Sequence, residues 1–96
     1  MNNDWRTLRA GDRVRLLCVP EADLRQREDE IRRSAEMAGW TADTLERILA
    51  LDPIVTIDHV DQYGAPWFNY ELIGADGRPE HHSLAITENE SWELVT

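Results

Sequence analysis

Apolar and polar residues alternate most clearly between Asp52 and Gly74. Ile54, Val55, Thr56, Ile57 and Val60 precede Asp61-Gln62-Tyr63-Gly64-Ala65-Pro66, and Trp67, Phe68, Tyr70, Leu72 and Ile73 follow it. β-Branched and aromatic side chains fit a pleated surface and Gly64 and Pro66 punctuate a turn. The stretch therefore predicts a β-hairpin with a loop of about 4–6 residues. Val60 comes too late after Ile57 for strict alternation, which predicts a bulge near Asp58-His59. On the return strand Phe68, Tyr70 and Leu72 share the apolar side, so Trp67, Asn69, Glu71 and Ile73 point the other way.

Shorter runs of the same kind flank this hairpin. Ala10-Gly11-Asp12 makes a turn, and Arg13 to Val19 reads as a first strand with Val14, Leu16 and Cys18 on one face and Arg13, Arg15 and Leu17 on the other. Downstream, Asp76-Gly77 marks a tight turn. Glu80 to Thr87 then places His82, Leu84 and Ile86 opposite His81, Ser83 and Ala85, and Trp92, Leu94 and Val95 make a short last strand.

The segment between the first strand and the hairpin changes period. From Glu21 to Ala38, acids precede arginines at i, i+4 in Glu21/Arg25, Asp23/Arg27, Glu28/Arg32 and Asp29/Arg33, which favours a helix. Its apolar stripe of Leu24, Ile31, Ala35 and Ala38 is thin, so it belongs on the surface, with Gly39 fitting the position just past its end. Thr41 is a candidate N-cap for a second helix, with Trp40 stapling to Leu45. Its denser stripe of Leu45, Ile48 and Leu49 is the one that packs, and Asp52-Pro53 ends it. The expected core is Val14, Leu16, Val55, Ile57, Phe68, Tyr70, Leu72, Leu84, Ile86 and Leu94, with that second helix against it.

Composition narrows the class. The 96 residues suit one domain, 1–96, with a helical insertion at about 20–52. No apolar run approaches the length of a bilayer span, and Asp4, Arg6 and Arg9 interrupt any leader-like segment, so a cytoplasmic protein without a membrane partner is expected. Cys18 has no second cysteine to pair with and reads as a small buried hydrophobe. The net charge of −9 falls entirely in residues 41–96, where the only bases are Arg47 and Arg78. Such a surface repels phosphate backbones, so nucleic acid is a poor partner, and it serves either solubility or the attraction of a basic protein. Every base is arginine, a bias expected of a GC-rich bacterial or phage genome.

Leu8-Arg9-Ala10-Gly11-Asp12-Arg13-Val14-Arg15 resembles the "G-D-x-V" opening strand of SH3-like small barrels such as the KOW and Tudor-type modules, and Val55-Thr56-Ile57 through Tyr63-Gly64 to Trp67-Phe68 is similar to their central hairpin. The resemblance spans about half the chain and skips the helical insertion. It implies an α+β, mainly antiparallel β fold: a bent small barrel of about five strands with a two-helix insertion between strand 1 and strand 2. Many such barrels are non-catalytic docking modules.

Two functional expectations follow. The first is a non-catalytic acidic protein-binding module, an inhibitor or adaptor of bacterial or phage origin, without a cofactor, that docks on a larger protein with a basic surface. Its binding surface centres on Tyr63, Trp67 and Asn69, because large aromatics on an outer face are what interface centres are enriched in. Either Trp67 stays open or the helical insertion folds over it. Arg13 and Arg15 form a second patch, open to an anion or to ion pairs with the acidic half. The alternative is a small metal-dependent or acid/base enzyme using His59, His81 or His82. Against it, no fixed-spacing ligand motif, phosphate loop or nucleophile motif is present, and His81 and His82, as strand neighbours, point to opposite faces.

Overall fold

In the computed structural model, which describes residues 4–95, the alternating runs become strands and the charged segment becomes two helices. The strands are β1 (Arg13–Leu16), β2 (Ile54–Val60), β3 (Pro66–Ile73), β4 (Pro79–Ala85) and β5 (Trp92–Leu94). They form one antiparallel sheet in the order β4-β3-β2-β1-β5. Helices α1 (Glu21–Arg32) and α2 (Trp40–Leu51) are inserted between β1 and β2, which makes the fold α+β as the periodicities predict. β4 and β5 are the two edges, and the sheet is not closed into a barrel.

β2 is divided between two ladders. Its first half pairs with β1 and its second half with β3, and the change comes at Ile57, whose N–H donates to the Asp12 carbonyl at 2.8 Å while its own carbonyl accepts from Gly11 N–H at 2.8 Å. The register shifts between Ile57 and His59, where the spacing of Val60 predicts a bulge. A bulge bends its strand, so the β1–β5 wing and the β3–β4 wing meet at an angle around a shared core.

That core contains Val14, Leu16, Val55, Ile57, Phe68, Leu72, Leu84 and Ile86, all at the expected inward positions, together with Leu45 and Ile48 of α2 and with Leu8. Two expected members differ. Tyr70 is only partly buried because its hydroxyl reaches out to donate to the Asp52 carbonyl at 3.0 Å. Leu94 is 49% exposed, at the outer end of a short edge strand, and Trp92 is buried instead, its indole N–H donating to the Glu88 carbonyl at 2.8 Å. A large ring whose polar atom finds a partner is the better core residue of the two.

β1 ends at Leu16, short of the expected Val19, so its alternation stops and Cys18 is exposed rather than buried. α1 also ends early. Ser34 takes a left-handed φ of 55°, its N–H donates to the Ile31 carbonyl at 3.0 Å and Ala35 N–H donates to the Glu30 carbonyl at 3.0 Å. This pair of bonds is a Schellman ending, built on serine where the sequence pattern pointed to Gly39. Gly39, with φ 75°, instead occupies the N-cap of α2, so Thr41 lies inside the helix and Trp40 is its first residue. A Cβ on Gly39 would fall 2.5 Å from the Arg27 stem, and the Arg27 guanidinium continues past it to Asp43, at 2.9 Å, and Glu46. Arg27 therefore leaves its expected partner Asp23 to tie α1 to α2.

α2 lies against the inner face of the sheet. Ile48 is fully buried, Trp40 sits 5.1 Å ring to ring from His82, and Arg47 reaches Glu80 at 2.9 Å and the Ile73 carbonyl at 3.1 Å. Among the described residues no helix packs on the outer face of the β2–β3–β4 wing, where His59, Asn69, Glu71, His81 and Ser83 are exposed. No helix among the described residues is long and apolar enough to cross a membrane.

Candidate functional site

The outer face of that wing carries His59 from β2, Trp67, Asn69 and Glu71 from β3, and His81 and Ser83 from β4. The pairing register brings them together. Trp67 stands opposite His59 on one side, Asn69 opposite Ser83 and Glu71 opposite His81 on the other. Because the bulge removes one residue from the alternation of β2, His59 lands on the same side as Trp67, and the two rings stack 6.2 Å apart and 2° from parallel.

Asp61 holds this end of the wing. Its carboxylate accepts from Tyr63 N–H at 2.8 Å, Ala65 N–H at 2.9 Å and the Trp67 indole N–H at 2.8 Å. Gly64, with φ 84°, completes the reversal, and Asp61 N–H donates to the Ala65 carbonyl at 2.9 Å. An aspartate that caps its own turn is a common local device; here the same carboxylate also fixes the indole of the aromatic face. The indole first, then the backbone N–H groups and the nearby His59, hold the Asp61 carboxyl below its ordinary value of 3.8. It is ionised through the neutral range, which keeps it an acceptor.

Tyr63 projects from the hairpin tip at 84% exposure, whereas Trp67 is half-buried between His59 and the turn. The helical insertion does not cover Trp67, since α2 lies on the opposite face. Asn69 is exposed beside it and lines a shallow hollow of about 470 Å³ with Tyr70, Glu71, His81, His82 and Ser83. His81 Nδ1 lies 3.5 Å from Glu71 Oε2, and His59 Nδ1 lies 2.7 Å from Asp58 Oδ2. Trp67 and Asn69 thus share the outer face of β3, while Tyr63 projects from the hairpin tip, its backbone N–H bonded to the same Asp61 that holds the indole.

Arg13 and Arg15 lie on the other wing. Both are exposed, and Arg15 Nε is 3.3 Å from Glu93 Oε1 on the neighbouring strand β5, the ion pair that the charge division of the chain allows. Arg13 pairs with Thr56 and Arg15 with Ile54, ahead of the bulge in β2, whereas Trp67 pairs with His59 beyond it, so β2 turns from one ladder to the other between the two patches.

The three histidines occupy separate surroundings. His82 is buried under Trp40, with Nε2 3.1 Å from Glu80 Oε1, while His81 and His59 stand on the outer face, one beside Glu71 and one against Trp67. Among the described residues, no group of three or more His, Cys, Asp or Glu is placed to hold a metal ion. Arg47, followed by His82, holds the Glu80 carboxyl below its ordinary value of 4.5, so this inner cluster acts as a tie between α2 and β4. Sequence reasoning missed the His59 stack and the double role of Asp61. The bulge carried the signal for the first, and Asp at a turn opening six residues before a tryptophan carried a weak signal for the second.

Comparison of the chain with protein-family models, with curated proteins and with solved structures finds no match. The site rests on its own geometry.

Proposed function

We propose that this chain is a non-catalytic, acidic protein-binding module on an SH3-like small-barrel plan, an inhibitor or adaptor of bacterial or phage origin that docks on a larger protein with a basic surface. The strand order, with the last strand returning beside the first and the second strand shared between two wings, supports the barrel-like plan. The observation that carries the functional reading is the outer face, where Tyr63 is 84% exposed and the Trp67 indole, stacked on His59, donates to Asp61. Rigid aromatics lose little entropy on binding, and they anchor interfaces for that reason. Asp58, Asp61 and Glu71 surround them, a field that steers a basic partner.

Affinity capture from a lysate of the source organism, read by mass spectrometry, identifies the partner, and variants then locate its site. Tyr63→Ala is the informative change because the ring touches little of the fold. It should lose the captured partner with a melting temperature unchanged. Trp67→Ala should lose binding together with part of the hairpin's stability. A partner retained at full affinity by Tyr63→Ala, Asn69→Ala and Trp67→Ala alike would refute the aromatic face as the docking surface.

A further inference from the structure

The edge of β4 offers a second mode of recognition. Gly74 N–H donates to the Arg78 carbonyl at 2.8 Å at the turn end of the β3–β4 ladder, and Ile86 N–H donates to the Pro66 carbonyl at 2.9 Å at the other end. With the pairs in between running Leu72↔Glu80, Tyr70↔His82 and Phe68↔Leu84, these two bonds set the hydrogen-bonded pairs at the even-numbered residues of β4. The odd-numbered residues His81, Ser83 and Ala85 consequently turn their N–H and C=O groups away from β3. β4 is the last strand on that side of the sheet, and among the described residues no hydrogen bond from another element reaches the backbone of these three. A free edge of this length is a template for another strand.

The surroundings select what kind of strand fits. On the outer side of β4 lies the hollow of Asn69, Glu71, His81 and Ser83, with Glu71 as its carboxylate. On the inner side Met37 and Trp40, 72% and 44% exposed, line a smaller hollow of about 190 Å³ with Asp43, Thr44 and Arg47. Trp40 touches β4 through His82 and Arg47 touches it through Glu80, so this apolar shelf runs beside the strand. An added strand alternates its side chains between these two sides. Arg47 is engaged with Glu80, and from β2 to the end of the described chain the only arginine is Arg78, so the charge around the edge is complementary to a basic segment and repels a second copy.

We infer that β4 takes up an extended segment of a basic partner protein as an additional antiparallel or parallel strand, with arginine or lysine side chains over the Glu71 hollow and apolar side chains over Trp40 and Met37. The inference deepens the docking-module reading by naming what the partner contributes, and it requires no contact with Tyr63.

The test uses the full chain and short acetylated peptides that alternate arginine with valine, in three forms: plain, N-methylated at alternate backbone nitrogens, and with glutamate in place of arginine. Amide hydrogen exchange by NMR reads the site. The plain peptide should protect His81, Ser83 and Ala85 while leaving the already bonded Glu80, His82 and Leu84 unchanged. The N-methylated peptide should bind about tenfold or more weakly, because backbone hydrogen bonds are removed with the charge intact. The glutamate peptide should not bind. Ser83→Pro removes one outward N–H without touching the β3–β4 bonds and should weaken the plain peptide, with unchanged exchange at Leu72 certifying the fold. Equal binding of the N-methylated peptide, binding of the glutamate peptide, or no protection of β4 by the plain peptide overturns the proposal. Protection confined to Tyr63 and Trp67 overturns the edge and leaves the aromatic-face reading standing. Protection of the same three amides by raising protein concentration alone assigns the edge to a second copy and overturns the basic partner.

Discussion

The two helices of the insertion have the same length, twelve residues each, and opposite relations to the sheet. α2 buries Ala42, Thr44, Leu45 and Ile48, whereas α1 buries no residue fully and leaves Ile31 62% exposed. α1 is held by ion pairs within itself, Glu21–Arg25 and Asp29–Arg33, and by Arg27 reaching across to Asp43 and Glu46 of α2. Exposed pairs of this kind contribute little each, while a buried aliphatic side chain contributes several times more. Adjacent segments of one insertion are therefore stabilised by different physics, and α1 depends on α2 rather than on the sheet.

The largest effect expected from this difference is on core truncation. Ile48→Ala should destabilise by about 2–5 kcal/mol in urea denaturation, since the side chain is fully enclosed, while Ile31→Ala should stay within about 0.5 kcal/mol. Equal losses at the two positions would mean that α1 is covered in solution by something outside this chain. Next in size is the hinge between the helices. Gly39→Ala should cost roughly 1–2 kcal/mol for the left-handed backbone alone, and it also displaces the Arg27 stem. A neutral Gly39→Ala would show that the helix junction relaxes freely.

A smaller and more local effect belongs to Arg27. Arg27→Ala should speed amide exchange throughout α1 and leave exchange around Ile57 in β2 unchanged, because α1 opens as a unit of its own when its tie to α2 is removed. Exchange in α1 as slow as in β2, in the unmodified protein, would contradict that picture.

The smallest effect is a difference in sign on acidification. Burial raises the Asp23 carboxyl of α1 above its ordinary 3.8, and burial, with the neighbouring acids Glu90, Asp23 and Glu21 adding, raises Glu88 above its ordinary 4.5. A carboxyl with a raised folded pKa binds its proton more readily in the folded state, so its contribution to stability grows as pH falls through that raised value towards the ordinary one. Asp61 and Glu80 are depressed, so their contributions are present above 3.8 and 4.5 and are lost as pH falls through their lower folded values. Asp23→Asn should hold or raise the neutral-pH melting temperature, and Asp61→Asn should lower it, with both differences shrinking in acid. Melting curves that move in the same direction for the two variants would remove the distinction.

How far the sequence could be read follows the same division. The hairpin, its bulge, the inward positions of Val55, Ile57, Phe68 and Leu72, and the opposition of His81 and His82 all follow from strand alternation, a local property that each residue carries with it. Helical character between Glu21 and Leu51 was legible from the change of period, but its break was misplaced, because Ser34 and Met37 adopt left-handed conformations that their side chains do not favour. Cys18 and Leu94 differ from expectation where strands end, since alternation says nothing about where pairing stops.

By itself the sequence determined which residues alternate, where charge accumulates and that Trp67 and Asn69 share a face of β3. Only the tertiary structure decided that α2 would cover the other face, that His59 would stack on Trp67, that Asp61 would hold the indole, and that β4 would be left as an open edge. Periodicity is written into neighbouring residues, whereas strand order, the docking of a helix and the partner of a carboxylate depend on segments far apart in the chain, which meet only when the whole fold is compared with its alternatives.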